Sequence, residues 1–157
     1  MAGKIEARLA ELGIELPEAR EPKVAKILGS NIAGNILYVS GQVPQWNGEM
    51  PFIGKVGREF DIEQGREAAR LCALNVIAHA KKALGGDLDR VVKIAKVKGY
   101  VNATSDVAEV AAVVNGASEL FVDVFGEAGH HARTVAGVTV MPFDVAIEVE
   151  ADFLIRD

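Results

Sequence analysis

The chain has 157 residues, of which 50% are hydrophobic and 25% are charged, and its formal net charge is −5. This length fits one ordinary domain, and the composition excludes a disordered or collagen-like chain. One cysteine, Cys72, excludes an internal disulfide and a cysteine-based zinc site. The acidic balance, without a dense basic run, argues against a nucleic-acid partner.

The N-terminal segment has charges every few residues and lacks the apolar centre of a signal peptide. No run of about 18 apolar residues predicts a membrane span either, so we expect a soluble, cytoplasmic protein with no membrane partner. Residues 3–12 have apolar residues at helical spacing, and Pro17 and Pro22 then predict a linker. We therefore divide the chain into an N-terminal helix and linker, residues 1–23, and one domain, residues 24–157.

Two β-like runs fill residues 24–42, separated by the turn formers of residues 33–35. The second run, residues 36–40, is apolar at nearly every position, and such a strand must be covered on both faces. Turn-forming residues dominate residues 44–57, which predicts a loop with a short strand near Ile53–Val56.

Two long helices follow, with a strand between them. Asp61 is placed to cap a helix over residues 62–84, whose apolar residues form one stripe. Residues 91–102 alternate between apolar and polar and predict a strand. The second helix runs to about Phe125. The residues able to cap its start are Thr104, Ser105 and Asp106.

Two strands end the chain, over residues 133–140 and 145–155, and in the last one apolar residues alternate with acidic ones. The order of elements predicts an α+β, two-layer sandwich in which a mixed sheet has two long helices on one face. Because two helices cover only one face, we expect part of the other face to pack against another subunit.

Two signatures then stand out. Residues 40–44 read Ser-Gly-Gln-Val-Pro, and Arg133 is followed by Met141-Pro142 and by the strand Ile147-Glu148-Val149-Glu150-Ala151. Together they resemble the RidA/YjgF family of reactive-intermediate imine deaminases, also labelled endoribonuclease L-PSP-like. Asn115 resembles the asparagine of the family's second helix. The resemblance covers residues 24–155, and the N-terminal helix and linker look like those of a longer-chain branch.

The resemblance implies a chorismate-mutase-like fold, assembled as a homotrimer with ligand sites between subunits. It also implies hydrolysis of small reactive 2-imino and 2-enamino acids to the 2-keto acid and ammonia, with no metal and no cofactor. Many deaminating members have an aromatic hydroxyl residue on the first strand, where the alignment places Ile27. The family's frequent cysteine two positions after the arginine is Val135 in this chain.

The chemistry of the side chains, considered without the resemblance, favours candidate site residues in the same two signatures. Arg133 offers a planar fork that binds a small carboxylate substrate through two charge-assisted hydrogen bonds. Backbone groups close to Gly41 and Val135 are candidates for orienting the imine nitrogen, since glycine permits close approach of a ligand. A partly screened carboxylate is a suitable general base for water, and Glu148 is the catalytic candidate. The resemblance adds Ser40 and Asn115 as substrate-binding residues.

Each of these residues also has a simpler explanation. An isolated arginine at the start of a strand is usually a solvated or salt-bridged surface group, and the acidic residues at 148 and 150 fit the solvent-facing side of a sheet. Asn115 could satisfy a backbone group, and Ser40-Gly41 could be a strand bulge. The adjacent histidines 130 and 131 have a poor spacing for metal ligands and are more typical of an exposed loop, although one of them could line a pocket.

Two other functions stay open. A non-catalytic small-metabolite-binding trimer, acting as a sensor or chaperone-like protein, is motivated by Ile27, which lacks the hydroxyl and the aromatic ring. An endoribonuclease is opposed by the acidic balance, and only His130-His131 offer acid and base groups that titrate near neutral pH.

Overall fold

The computed structural model describes residues 2–157. Five strands form one sheet in the order β1-β2-β5-β3-β4, in which β3 and β4 are parallel and the other neighbours are antiparallel. The sheet is mixed and two long helices pack on it, so the predicted α+β sandwich is confirmed. The elements are α1 (Lys4–Glu11), β1 (Ser30–Ala33), β2 (Ile36–Gln42), α2 (Ile62–Ala83), β3 (Val91–Asn102), α3 (Val110–Phe125), β4 (Ala132–Val138) and β5 (Ile147–Ile155).

Helix α2 begins at Ile62 because Asp61 and Gln64 form a capping box. The Asp61 carboxylate accepts from the Gln64 N–H at 2.8 Å, and the Gln64 side-chain oxygen accepts from the Asp61 N–H at 3.0 Å. The helix presents an alanine-rich face to the sheet, so the two layers approach closely. Cys72 on that face is fully buried, and burial raises the pKa of its thiol well above the usual range.

Helix α3 begins at Val110, later than the sequence predicts, and none of Thr104, Ser105 and Asp106 caps it. The reason is a tertiary one. The Thr104 N–H donates to the Val56 carbonyl at 3.0 Å, so the backbone that was expected to enter the helix is still paired with a neighbouring loop.

The first predicted strand is also shorter than expected. β1 starts at Ser30, and residues 24–29 are irregular. Ile27, predicted on the first strand, therefore precedes it, and its side chain is 59% exposed. The strand expected near Ile53–Val56 is reduced to single bridges made by its two end residues, so residues 44–57 form a loop.

The last two strands are separated by a sharp turn. Phe143 and Asp144 have φ angles of 59° and 56°, a left-handed conformation that interrupts the strand pattern. β4 ends at Val138 and β5 starts at Ile147, so both are shorter than predicted.

One face of the sheet is covered and the other is open. Along β5 the odd-numbered residues are buried under the helices, while Glu148, Glu150 and Asp152 lie on the other face. On β2, Leu37 is buried but Tyr38 is 46% exposed. The cover expected on both faces of β2 is thus absent within residues 2–157, and a neighbouring subunit there stays a prediction.

Helix α1 is fixed to the domain by its first turn. The Asp89 carboxylate accepts from the N–H groups of Lys4 and Ile5, both at 2.8 Å, and Leu9 joins the hydrophobic core. The carboxylate therefore satisfies backbone donors that a helix N-terminus leaves open. Within residues 2–157, no helix combines the length and the apolar content that crossing a bilayer requires.

Candidate functional site

Arg133 lies on β4, the edge strand of the sheet, on the side covered by α3. It is in register with Val97 of β3, which is fully buried beneath the helices. Its Nη1 donates to Asn115 Oδ1 at 2.8 Å and to Ser118 Oγ at 3.1 Å, and both acceptors are on α3. The predicted pair of Arg133 and Asn115 is therefore in direct contact.

The guanidinium of Arg133 keeps one complete edge unused. Nη1 has two hydrogens, and Asn115 and Ser118 accept both. Among residues 2–157, Nε and Nη2 of Arg133 have no hydrogen-bond partner, and no carboxylate forms an ion pair with this side chain. The Nε–Nη2 edge presents two parallel N–H groups, the geometry that binds one carboxylate at both oxygens.

His131 adjoins this cluster from the segment just before β4. Its Nε2 lies 2.9 Å from Ser118 Oγ, and its Nδ1 lies 2.6 Å from the carbonyl oxygen of Gly129. Burial lowers the pKa of His131; the Gly129 carbonyl opposes that shift and the charge of Arg133 adds to it. His130 is exposed, so the two adjacent histidines have different surroundings.

The second cluster is built on a bulge in β2. Val39 is in register with Ala151 and Gln42 with Val149, so Ser40 and Gly41 together oppose one residue of β5. The Ser40 hydroxyl donates to the Leu28 carbonyl at 2.6 Å. That hydroxyl is thus bound to the segment preceding β1.

Gly41 leaves space that the Glu148 side chain fills. A Cβ at position 41 would collide with Glu148 Oε1. The Glu148 carboxyl has no hydrogen bond or ion pair within residues 2–157, and burial, together with the charge of Glu150, raises its pKa. Glu150, by contrast, lies 3.5 Å from Lys98 Nζ in a partly exposed ion pair. The two carboxylates of β5 therefore have different chemical environments.

The two clusters lie on opposite faces of the sheet. Arg133 is in register with Val97, and Glu148 with Tyr100. Positions 97 and 100 of one strand point to opposite faces, because side chains alternate along β3. One chain therefore brings Arg133 to Asn115, and Gly41 to Glu148, but it does not bring these two pairs together.

Val135, the remaining predicted residue, lies two positions after Arg133 on the same edge strand. It is in register with Gly99 and its side chain packs against the core. β4 pairs only with β3, so backbone groups along its outer side are unpaired within the sheet. A surface cavity of about 600 Å³ between α1 and α3 is lined by neither Arg133 nor Glu148.

A family model described as "YjgF/chorismate_mutase-like, putative endoribonuclease" matches residues 6–151. The chain belongs to the YjgF family.

Its relatives are similar over nearly the whole chain. Protein TCP17 of Trypanosoma cruzi is 40% identical over 151 residues, which cover 96% of this YjgF-family chain and 93% of that protein. Atu1372 of Agrobacterium tumefaciens, a crystal structure of unknown function, is 40% identical with a TM-score of 0.89, and the match covers 98% of this chain and 94% of Atu1372. A crystal structure described as a putative endoribonuclease of Shewanella oneidensis is 33% identical with a TM-score of 0.92, and the match covers 96% and 99% of the two chains.

Sequence reasoning did not find Ser118 in this YjgF-family site. A pattern that indicates Ser118 is nevertheless present in the sequence. Asn115 and Ser118 are three residues apart on a largely apolar helix, and that spacing puts both on one face. The contact of His131 with Ser118 depends on how the loop before β4 folds back on α3, which no local pattern indicates.

Histidine and acidic side chains are the candidate metal ligands of this chain. His130 and His131 do not join a group of three such ligands within residues 2–157. Glu6, Asp87 and Asp89 lie close enough together, but oxygens of all three already accept backbone N–H groups around α1 and the turn at residues 88–90.

Proposed function

We propose that this YjgF-family protein hydrolyses small 2-imino and 2-enamino acids to the 2-keto acid and ammonia, in sites shared between the subunits of a homotrimer. The observation that supports this most strongly is the unpaired Nε–Nη2 edge of Arg133, held by neutral side chains and by no carboxylate. The reaction uses water as its co-reactant and needs no metal or cofactor. The reducing cytoplasm suits the single buried thiol of Cys72.

Substrate binding is the role of Arg133 and its neighbours. A 2-imino acid has a carboxylate beside its C=N carbon, and the fork of Arg133 would hold both carboxylate oxygens. Asn115 fixes the guanidinium, and the backbone at Val135 and Gly41 would orient the imine nitrogen. Because the substrate is already electrophilic, positioning is the main requirement for catalysis.

Glu148 is the proposed general base and acid. Its carboxylate would take a proton from water as the water oxygen bonds to the C=N carbon of the protonated imine, which gives a neutral carbinolamine. The same carboxyl would return that proton to nitrogen, so that the C–N bond breaks and ammonia leaves, while the hydroxyl proton of the carbinolamine passes to solvent and the 2-keto acid forms. An enamine would first take a proton at its β-carbon from the protonated carboxyl of Glu148, which gives the same protonated imine. Burial and the charge of Glu150 raise the pKa of Glu148, which makes its carboxylate a stronger base than an exposed glutamate.

Arg133 and Glu148 can serve one substrate only if they come from different copies of the chain. They lie on opposite faces of one sheet, and the face that carries Glu148 and the 46% exposed Tyr38 is open to a second copy. In the proposed trimer, the edge strand β4 of one subunit faces the open sheet side of its neighbour. Each interface would then hold one complete site.

The experiment is a coupled assay in which 2-iminobutanoate is generated in situ and ammonia release is followed. The wild type should exceed the uncatalysed rate, and Arg133→Ala should lose at least about 100-fold in kcat/KM, since the carboxylate would lose a charged bidentate partner. Arg58→Ala is the matched control, because Arg58 is an exposed arginine paired with Glu59.

Binding of 2-oxobutanoate by isothermal titration calorimetry separates the alternatives. Binding that depends on Arg133, without turnover, would refute the deaminase and support the non-catalytic metabolite-binding trimer. If the wild type shows no binding and no turnover, both the deaminase and the metabolite-binding function are refuted.

A further inference from the structure

A continuous chain of hydrogen bonds reaches Arg133 at Nη1, the nitrogen that lies outside its unused Nε–Nη2 edge. It starts at the Gly129 carbonyl, passes through the ring of His131 and the hydroxyl of Ser118, and ends at Arg133 Nη1. We infer that Ser118 and His131 are positioning residues, which orient Arg133 so that its Nε–Nη2 edge faces the substrate carboxylate. This inference rests on the proposed function for the identity of the ligand.

The direction of each hydrogen bond follows from the first acceptor. A carbonyl oxygen can only accept, so His131 Nδ1, at 2.6 Å from the Gly129 oxygen, must have the proton. In the neutral ring Nε2 is then an acceptor, and the Ser118 hydroxyl donates its only hydrogen to it. The Ser118 oxygen is left with lone pairs, one of which accepts from Arg133 Nη1.

Ser118 matters because it completes the occupation of Nη1. With Asn115 alone, one Nη1 hydrogen would be unbound, and the guanidinium could turn about its single acceptor. With both acceptors in place, Nη1 is fully used, so a carboxylate ligand must take the Nε–Nη2 edge. Helix α3 positions Ser118, and its hydroxyl is oriented by His131, whose ring packs edge-on against Phe121 with centroids 5.9 Å apart.

The surroundings of His131 keep its ring neutral. The charged and titratable groups nearest to it are Arg133 and the adjacent His130, both of which disfavour a second positive charge. α3 contributes the uncharged Ser118 and Phe121. The neutral ring, and with it the donating orientation of the Ser118 hydroxyl, is therefore favoured.

The first test measures 2-oxobutanoate binding and 2-iminobutanoate turnover in Ser118→Ala and His131→Phe. The phenylalanine keeps the packing against Phe121 but removes the acceptor for Ser118. Both variants should raise Kd and KM about tenfold and change kcat less than about threefold, because the lost hydrogen bond supports binding by a charged group. His130→Phe is the matched control and should leave Kd unchanged, since His130 is exposed.

The second test needs no ligand. The chain has three histidines, and their ring resonances can be titrated by NMR and assigned by substitution. Arg133→Gln should raise the pKa of His131 by removing a like charge, and Ser118→Ala should raise it by removing the donor to the neutral ring.

An unchanged pKa of His131 in both variants would overturn the inference. So would an unchanged Kd in Ser118→Ala and His131→Phe when the wild type binds 2-oxobutanoate. If the wild type binds no carboxylate while the pKa shifts occur, the proposed function fails and the coupling of His131 to Arg133 is supported.

Discussion

No side chain can occupy position 41 without displacing the Glu148 carboxyl, because a Cβ there would project onto Glu148 Oε1. The Glu148 side chain of β5 can therefore pack against the bulge of β2 only because residue 41 is a glycine. The obstacle is the end of a flexible side chain and not backbone, so an added methyl group moves the carboxyl while the fold persists.

We therefore expect Gly41→Ala to separate activity from stability. Displacing the general base by about 1 Å should lower kcat by roughly 10- to 100-fold, while the melting temperature changes little. Gly137→Ala on β4 is the control, because its added Cβ meets only Val110 at ordinary contact distance. A wild-type kcat in Gly41→Ala would contradict the role of Glu148.

Glu148→Gln should increase stability while it abolishes turnover. The pKa of Glu148 is raised in the folded protein, so the folded state binds its proton more tightly than the unfolded chain. The resulting penalty on the ionised form grows as pH rises through the raised pKa and is absent below the ordinary glutamate pKa. Glutamine has no such penalty, so the gain in melting temperature should be present at pH 7 and should vanish in acid. A gain independent of pH would exclude this explanation.

Glu150→Gln should change the pH profile of the reaction. The charge of Glu150 contributes to the raised pKa of Glu148, second to burial. Removing that charge should lower the pKa of Glu148, so the acidic limb of kcat/KM should move to lower pH while the basic limb stays in place. Lys98→Met, which removes the partner of Glu150, tests whether the broken ion pair alone has this effect. If the acidic limb of kcat/KM stays at the same pH in Glu150→Gln, that limb belongs to a group other than Glu148.

Two inactive variants should restore activity when mixed. Arg133→Ala subunits keep Glu148, and Glu148→Gln subunits keep Arg133, so a mixed trimer contains some interfaces with both native residues. After unfolding and refolding in equal amounts, about one quarter of the interfaces should be native, and about that share of wild-type activity should return. The control for refolding is the Arg133→Ala/Glu148→Gln double variant, mixed with wild type and refolded in the same way. No recovery would mean that each chain forms its own site.

The sequence predicts correctly those elements whose bounds depend only on residues near them in the chain. The alternation along β5 and the cap at Asp61 depend on neighbours in sequence, and both agree with the structure. The start of α3 was wrong because the backbone at Thr104 pairs with Val56, 48 residues away. The start of β1 was wrong because apolar residues before Ser30 remain outside the sheet.

The sequence proposes residues for the candidate site but not their arrangement. The resemblance names Arg133 and Asn115 without placing them in contact, and the structure adds the hydrogen bond between them. That Arg133 and Glu148 point to opposite faces depends on the register of both β4 and β5 with β3. A slip of one residue in either pairing would reverse that result, and no single strand's pattern fixes it.

In the proposed trimer, the placement of Arg133 and Glu148 on opposite faces would link turnover to protein concentration. A lone chain would possess two incomplete binding surfaces and no working one, however well folded it is. Specific activity should then fall on dilution at the point where the subunits dissociate, while circular dichroism still reports a folded chain if the lone subunit is stable.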